Sequence, residues 1–388
     1  MLPSGSGVRK PPLFFLDCLR SKRNDLDSAA ALALPTQEAD DVARERAFAE
    51  NLVVGGAAAA GSSFPIIAHQ LGKVYPGQDG AAPKLACQNF SLAIPRGECF
   101  GLLGPNGAGK STSINMLIGF LQPTSGTAII EGLDIRHDMD TIYTLLGVCP
   151  QHDLLWETLT AREHLEFYGR LKNLRGAELR AECDKALQSV NLYANGTGER
   201  AVGGFSGGMK RRLSVAISFI GDPLVVFLDE PSTGLDPASR AQLWEVVKRA
   251  KKDRAIVLTT HSMEEAEELC DRLGIFVDGA LRCIGNPKEL TSRYGGFLIL
   301  TITCAPKEVQ RVAEFVTSKL ASGAVCTYSL GGMQRFDLPT SQTDLASIFK
   351  AVEIAKRDMN ITDWAVANMT LEEVFIKLSR EIGAQTRE

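Results

Sequence analysis

The sequence predicts an α/β fold, a largely parallel sheet assembled around a phosphate-binding loop, followed by a smaller α+β module. Three observations predict it. Residues 104–111 read GPNGAGKS, the G-x-x-x-x-G-K-[ST] loop, set between an apolar run of strand length at 98–103 and a helix expected over 111–120. The apolar run 224–228 ends in Asp229 and Glu230, as a buried strand delivering carboxylates to one edge of a parallel sheet would. From residue 297 onward the pattern reads strand, helix, strand, strand, helix, strand, which is the split βαβ arrangement.

Taken in order, residues 1–62 are rich in alanine, proline, glycine and charge and read mostly as linker, with one short helix expected near 40–51. A basic stretch at Arg20, Lys22 and Arg23 fits a solvated cluster better than a juxtamembrane contact. The apolar clusters at 13–16 and 57–60 are too short to span a bilayer, no other run reaches the ~18 residues required, and the start does not resemble a secretory signal. A unit built around the phosphate loop is expected over 63–295, with a mostly helical insertion at about 154–215 in which 163–171 and 177–189 carry helical periodicity. A C-terminal module is expected over 296–388, with strands at 297–303, 324–330, 333–338 and 361–367 and helices at 307–320 and 344–358. A terminal helix then opens on the capping-box pair Thr370 and Glu373.

The chemistry follows from the phosphate loop. A polyanion needs many donors at short range, and glycines at 104, 107 and 109 let backbone N–H groups of the Gly104, Pro105, Asn106, Gly107, Ala108, Gly109 loop turn inward without a Cβ in the way. Lys110 would reach the β- and γ-phosphates and the Ser111 hydroxyl would ligate Mg²⁺, while Thr112 is balanced between an α-phosphate contact and a structural role. Asp229 would hold Mg²⁺ through its water shell, and Glu230 would act as general base on the attacking water. The strand expected at 255–260 delivers His261 to the same edge, where it would hold the γ-phosphate and the water. Residues 205–209, FSGGM, place Ser206, Gly207 and Gly208 at the opening of a helix, a second anion-binding nest. Tyr75 would stack on adenine, or is an ordinary strand-end tyrosine.

Composition agrees with a globular ATPase. The 42 lysines and arginines nearly balance 46 aspartates and glutamates, which disfavours nucleic acid as a partner. The nine cysteines show no C-x-x-C pair or metal-ligand spacing, and those in apolar stretches, Cys99 and Cys149, read as core filler in a reducing setting.

The ordered set GPNGAGKS, Gln151, FSGGM, LVVFLDE, TGLD and TTHS, spanning about 66–287, resembles the nucleotide-binding domain of ATP-binding-cassette (ABC) proteins. The resemblance implies a P-loop NTPase of ABC type that binds ATP and Mg²⁺ and dimerises with a second nucleotide-binding domain. Ser206 and Gly208 would then contact the γ-phosphate held by the opposing subunit, residues 233–236 would cross the interface, and Gln151 would sense Mg²⁺ and couple to a transmembrane domain. Glu199 and Arg200 would report on the partner site, or form a plain surface ion pair. Phe205 and Met209 depart from the leucine and glutamine usual there, but the Ser-Gly-Gly core survives. GVCPQHDLLWETLT, FSGGMKRRLSVAIS and the tail TLEEVFIKL further resemble the A subfamily, particularly half-size plant and algal members. The split βαβ pattern of the C-terminal module reads as a ferredoxin-like domain, regulatory or dimer-stabilising, and the resemblance implies a lipid or fatty-acid substrate and a place on the cytosolic face of a membrane. The transmembrane partner would come in trans or be missing from a fragment. A soluble ABC ATPase acting on ribosomes or DNA, and a module that binds ATP without hydrolysing it, are the competing classes. The near-neutral charge and single cassette count against the first, Glu230 and His261 against the second.

Overall fold

The computed structural model describes residues 39–55, 63–77, 83–339 and 345–385. The basic stretch at 20–23 and the two short apolar clusters lie outside them. The centre is a six-stranded sheet in the order β10-β9-β3-β8-β7-β6, formed by β3 (Cys99–Leu103), β6 (Leu146–Cys149), β7 (Val225–Asp229), β8 (Ala255–Thr260), β9 (Arg272–Val277) and β10 (Ala280–Gly285). All are parallel except β10, which turns back on β9. Both faces are covered, and alternation along each strand assigns the sides. Phe100, Leu102, Val225, Phe227 and Val257 face one core, and Cys99, Leu103, Val226, Leu228 and Leu258 face the other.

The first core is closed by α2 (Lys110–Leu117) and by an antiparallel sheet, β2-β1-β4-β5, of β1 (Ile66–Tyr75), β2 (Lys84–Ile94), β4 (Ser125–Ile130) and β5 (Leu133–Asp134). Between β5 and β6 runs α3 (Met139–Leu145). The second core is closed by α7 (Pro237–Ala250), α8 (Met263–Leu269) and α9 (Pro287–Gly295). A helical unit of α4 (Ala161–Leu171), α5 (Gly176–Ser189) and α6 (Gly207–Phe219) has its own core of Leu165, Leu179, Leu187, Phe205 and Leu213. Thr160 and Glu163 close a capping box that starts α4. Val215 of α6 reaches the second core while Leu213 and Ala216 stay in the helical one, so α6 joins the two units.

The C-terminal module contains β11 (Phe297–Cys304), α10 (Val309–Phe315), β12 (Val325–Leu330), β13 (Met333–Pro339), α11 (Leu345–Asp358) and β14 (Ile361–Asn368), in an antiparallel sheet ordered β12-β13-β11-β14. The single helix expected over 307–320 instead ends at Phe315 and continues as a π-helical turn, Val316–Leu320. The last helix, α12 (Leu371–Gln385), carries the expected capping box: Glu373 N donates to Thr370 Oγ1, and Thr370 N to the Glu373 carboxylate.

Elements on both sides of the bounds expected for the ATPase unit pack against it. The stretch assigned to a linker contains α1 (Asp40–Val54), which is folded onto the ATPase unit. Val42 joins the first core, Ala49 packs with Ile67, Ala93 and Ile129, and the Asp41 carboxylate accepts from Ile284 N at 3.0 Å and Tyr294 Oη at 2.9 Å. Glu45 accepts from Ala93 N and pairs with Arg272, both at 2.9 Å. At the other end α12 packs on the ATPase unit while its Glu373 pairs with Arg335 of the C-terminal module. Leu371 enters the second core, and Lys377 Nζ donates to the Tyr294 carbonyl at 3.2 Å. Linker composition and chain order are local signals, whereas these placements depend on partners 83 residues away for the Lys377–Tyr294 bond and 243 for the Asp41–Ile284 bond.

Candidate nucleotide site

The phosphate loop leaves the C-terminal end of β3 and enters α2. Gly109 holds φ +106°, and a Cβ there would lie 2.3 Å from the Ala86 carbonyl oxygen, so β2 approaches the loop where only glycine fits. Gly107, at φ +81°, has open space around its own missing Cβ, leaving the loop's inner face clear. This cradle suits a polyphosphate. Lys110 Nζ donates to the carbonyls of Gly104 at 2.7 Å and Pro105 at 3.2 Å. Burial pushes its pKa down, opposed by the attraction of Glu230 and Asp229.

A cleft of about 400 Å³ brings together Tyr75, Asn106, Gly107, Ala108, Gly109, Lys110, Ser111, Thr112, Gln151 and Glu230. Ser111 is exposed to it one residue after Lys110. Tyr75 ends β1, and the Lys73 ammonium lies 5.6 Å from its ring centroid, so the ring already carries a cation on one side. Ala86 and Lys84 of β2, not singled out from the sequence, complete the wall.

Asp229 is the last residue of β7, and its carboxylate accepts a hydrogen bond from Thr259 Oγ1 of the neighbouring β8. Glu230 is almost fully buried and sits at φ +49°, a left-handed conformation unfavourable for a side chain of this size. Its N–H is held by the Thr259 carbonyl at 3.1 Å and hydroxyl at 3.0 Å. Its carboxylate accepts from Gln151 Nε2 at 3.2 Å and Thr233 Oγ1 at 3.3 Å, and His261 Nδ1 lies 3.5 Å away. The sheet thus gathers a carboxylate, an imidazole and an amide opposite the phosphate cradle. Such a set can orient a water and receive its proton.

Ser206, Gly207 and Gly208 are not part of this cleft. They open α6, with Ser206 Oγ accepting from Met209 N at 3.3 Å, and Ser206 and Gly207 are exposed. Phe205, where leucine is usual in the resembled family, is buried in the helical core. Asp236 caps α7 by accepting from Ala238 N and Ser239 N, and hydrogen bonding from the Ser239 hydroxyl first, then from these N–H groups, holds its carboxyl below its ordinary range. Glu199 pairs with Arg162, which also meets Asp184.

Sequence reasoning passed over Arg211. Its guanidinium is buried between α6 and the strand ends. Because its acceptors are mostly backbone carbonyls, no sequence pattern announces it.

Comparisons with known proteins match this geometry. The ABC transporter family profile matches residues 87–233. ABC transporter A family member 7 of Arabidopsis thaliana is 53% identical over 382 residues, covering 97% of this chain and 40% of that protein. The chain contains an ABC-type ATPase domain of the A subfamily. A solved ATP-binding subunit of an ABC transporter superposes on the ABC domain with a TM-score of 0.54 at 28% identity, covering 59% of this chain and 93% of that one. A dimeric bacterial ABC transporter cassette does so with a TM-score of 0.52 at 25% identity, covering 57% and 98%. The chain spans about two fifths of the length of the curated relatives it matches. Among the described residues, no helix is long and apolar enough to cross a membrane.

Proposed function

We propose that the ABC domain binds ATP between its phosphate loop and the Ser206–Gly208 segment of a second nucleotide-binding domain, hydrolyses it, and so drives a transmembrane domain. The observation that carries this reading is the division of anion-binding groups. The Lys110 cradle and the exposed N-terminus of α6 are both built for phosphate, yet the second lies outside the first one's cleft. A second copy supplies the missing half, in line with the dimeric cassette that shares the fold.

Lys110 leaves the Gly104 and Pro105 carbonyls to meet the β- and γ-phosphates, and Tyr75 stacks on adenine. Ser111 and, through water, Asp229 would hold Mg²⁺, which would supply neutralisation of the phosphate charge. Gln151 and His261 position the water, and Glu230 takes its proton as the water attacks the γ-phosphorus and the bond to the β–γ bridging oxygen breaks, leaving ADP and phosphate. Loss of the bridging γ-phosphate loosens the dimer, and the closed state's preference for ATP performs the work.

The membrane-domain contact falls beside Gln151, where Trp156 and Phe167 form an exposed edge-to-face pair with centroids 5.2 Å apart. We read the C-terminal module as a ferredoxin-like regulatory domain, supported by its strand order, and the substrate as a lipid or fatty acid, supported by the A-subfamily relatives alone. The working place is the cytosolic face of a membrane.

The test is Glu230→Gln. The variant should bind ATP, lose nearly all turnover and accumulate as an ATP-dependent dimer in size-exclusion chromatography. Turnover near the parent value would remove Glu230 from the role of base.

A further inference from the structure

Arg211 occupies the second turn of α6, five residues beyond Ser206, and is 4% exposed. Its Nη2 donates to the carbonyls of Asp229 at 2.7 Å and Glu230 at 2.9 Å, and its Nε to that of Pro231 at 2.9 Å. Its Nη1 donates to the carbonyls of Pro150 at 2.6 Å and Gln151 at 3.3 Å, and to the Asp153 carboxylate at 3.1 Å. Asp153 is in turn fixed by Ser214 Oγ, one turn along the same helix, at 2.8 Å. One planar fork therefore spans three consecutive carbonyls around Glu230 on one side and the backbone of Gln151 on the other.

A buried guanidinium is costly unless its donors are satisfied, and here the acceptors come from the segments that carry the Gln151 and Glu230 side chains. Those side chains meet at 3.2 Å. The left-handed backbone of Glu230 is pinned from the N–H side by Thr259 and from the carbonyl side by Arg211. Lysine could not replace the fork, since an ammonium has three donors on one atom and cannot reach both backbones at once.

We propose that Arg211 is a positioning residue that sets the Gln151–Glu230 spacing from the placement of α6. The helix whose N-terminus faces the partner's nucleotide thereby controls the geometry of the attacking water. This rests on the roles proposed above for Glu230 and Ser206.

The experiment measures steady-state hydrolysis against ATP concentration in the 388-residue chain for the parent, Arg211→Lys, Asp153→Asn, their double variant and Glu230→Gln, with labelled-ATP binding and thermal unfolding alongside. Arg211→Lys should lower kcat by about tenfold or more, since ångström-scale misplacement of catalytic groups costs up to ~100-fold, while KM and ATP binding stay within about twofold. Asp153→Asn should lower kcat by about threefold and add little in the Arg211→Lys background, because it acts through the same fork. A folded Arg211→Lys chain with unchanged kcat overturns the proposal, as does Asp153→Asn contributing its full factor in both backgrounds. If Arg211→Lys fails to fold, Asp153→Asn decides alone: lowered kcat at constant KM supports the proposal and unchanged kcat overturns it. An active Glu230→Gln chain brings down the underlying assignment, whereas an inactive one beside a fully active Arg211→Lys brings down only this inference.

Discussion

Gly109 shows how one residue limits the site. It combines a left-handed backbone with a missing side chain 2.3 Å from where Ala86 places its carbonyl oxygen, while Gly107 has the same hand of backbone but free space. Gly109→Ala should therefore cost about 2 kcal/mol or more in urea unfolding and abolish labelled-ATP binding, and Gly107→Ala should cost only about 1 kcal/mol. Equal effects of the two substitutions would show that the β2 approach is unimportant. Gly109, Lys110 and Glu230 could be located from the sequence because each lies in a contiguous motif whose residue types report their own chemistry. Arg211 could not, because a lone arginine does not reveal that its partners are carbonyls of residues 150, 151 and 229–231. Whether Glu230 would adopt φ +49° was equally hidden, since nothing in Asp-Glu-Pro requires it.

At the scale of elements, the central strands were readable because a run buried on both faces must be apolar throughout, and 224–228 and 255–260 correspond closely to β7 and β8. The alternating 297–303 and the capping box at Thr370 announced β11 and α12 for similarly local reasons. The helix expected near 40–51 is α1, but its docking on the ATPase unit was not legible. Its buried side includes Asp41, whose carboxylate is matched by Ile284 N, Tyr294 Oη and the Arg293 guanidinium 3.4 Å away, so the helix docks by polar groups that resemble linker composition. Asp41→Ala leaves a buried N–H and a half-buried hydroxyl unpaired and should cost about 2 kcal/mol; Tyr294→Phe should cost about 1 kcal/mol, with the double variant less than additive. Urea unfolding monitored at Trp244 and Trp364 provides the readout. A loss below about 0.5 kcal/mol for Asp41→Ala would mean that α1 is held by apolar contacts alone.

Across the whole molecule, a buried charge network ties the two ATPase layers together. Arg272 of β9 pairs with Glu98 just before β3, with Glu45 of α1, and with the Ala93 carbonyl of β2. Burial pushes the Glu98 carboxyl up from 4.5 to about 6, against the pull of Arg272. The folded state thus holds this proton more tightly than the unfolded chain does. The stabilisation is complete below pH 4.5 and disappears as pH rises through about 6. The stability of Glu98→Gln relative to the parent should consequently improve by about 2 kcal/mol between pH 4.5 and 7 in urea titrations, and a constant difference would exclude the shift. The C-terminal module, by contrast, has a separate core and meets the ATPase unit chiefly through α12.

The convergence of both ends on α9 also bears on the order of synthesis. Tyr294 takes Asp41 of α1 on its hydroxyl and Lys377 of α12 on its carbonyl, and Leu371 fills the core beside Leu290. As the chain leaves the ribosome, α1 can dock on β1, β2 and β4 through Ala49 and Glu45, but its Asp41 carboxylate lacks its long-range partners until residues 284–294 follow. The second core stays open until residue 371 is out. The phosphate cradle is thus made well before the scaffold behind it can close, and a nascent chain carries an exposed apolar face until residue 371 has followed.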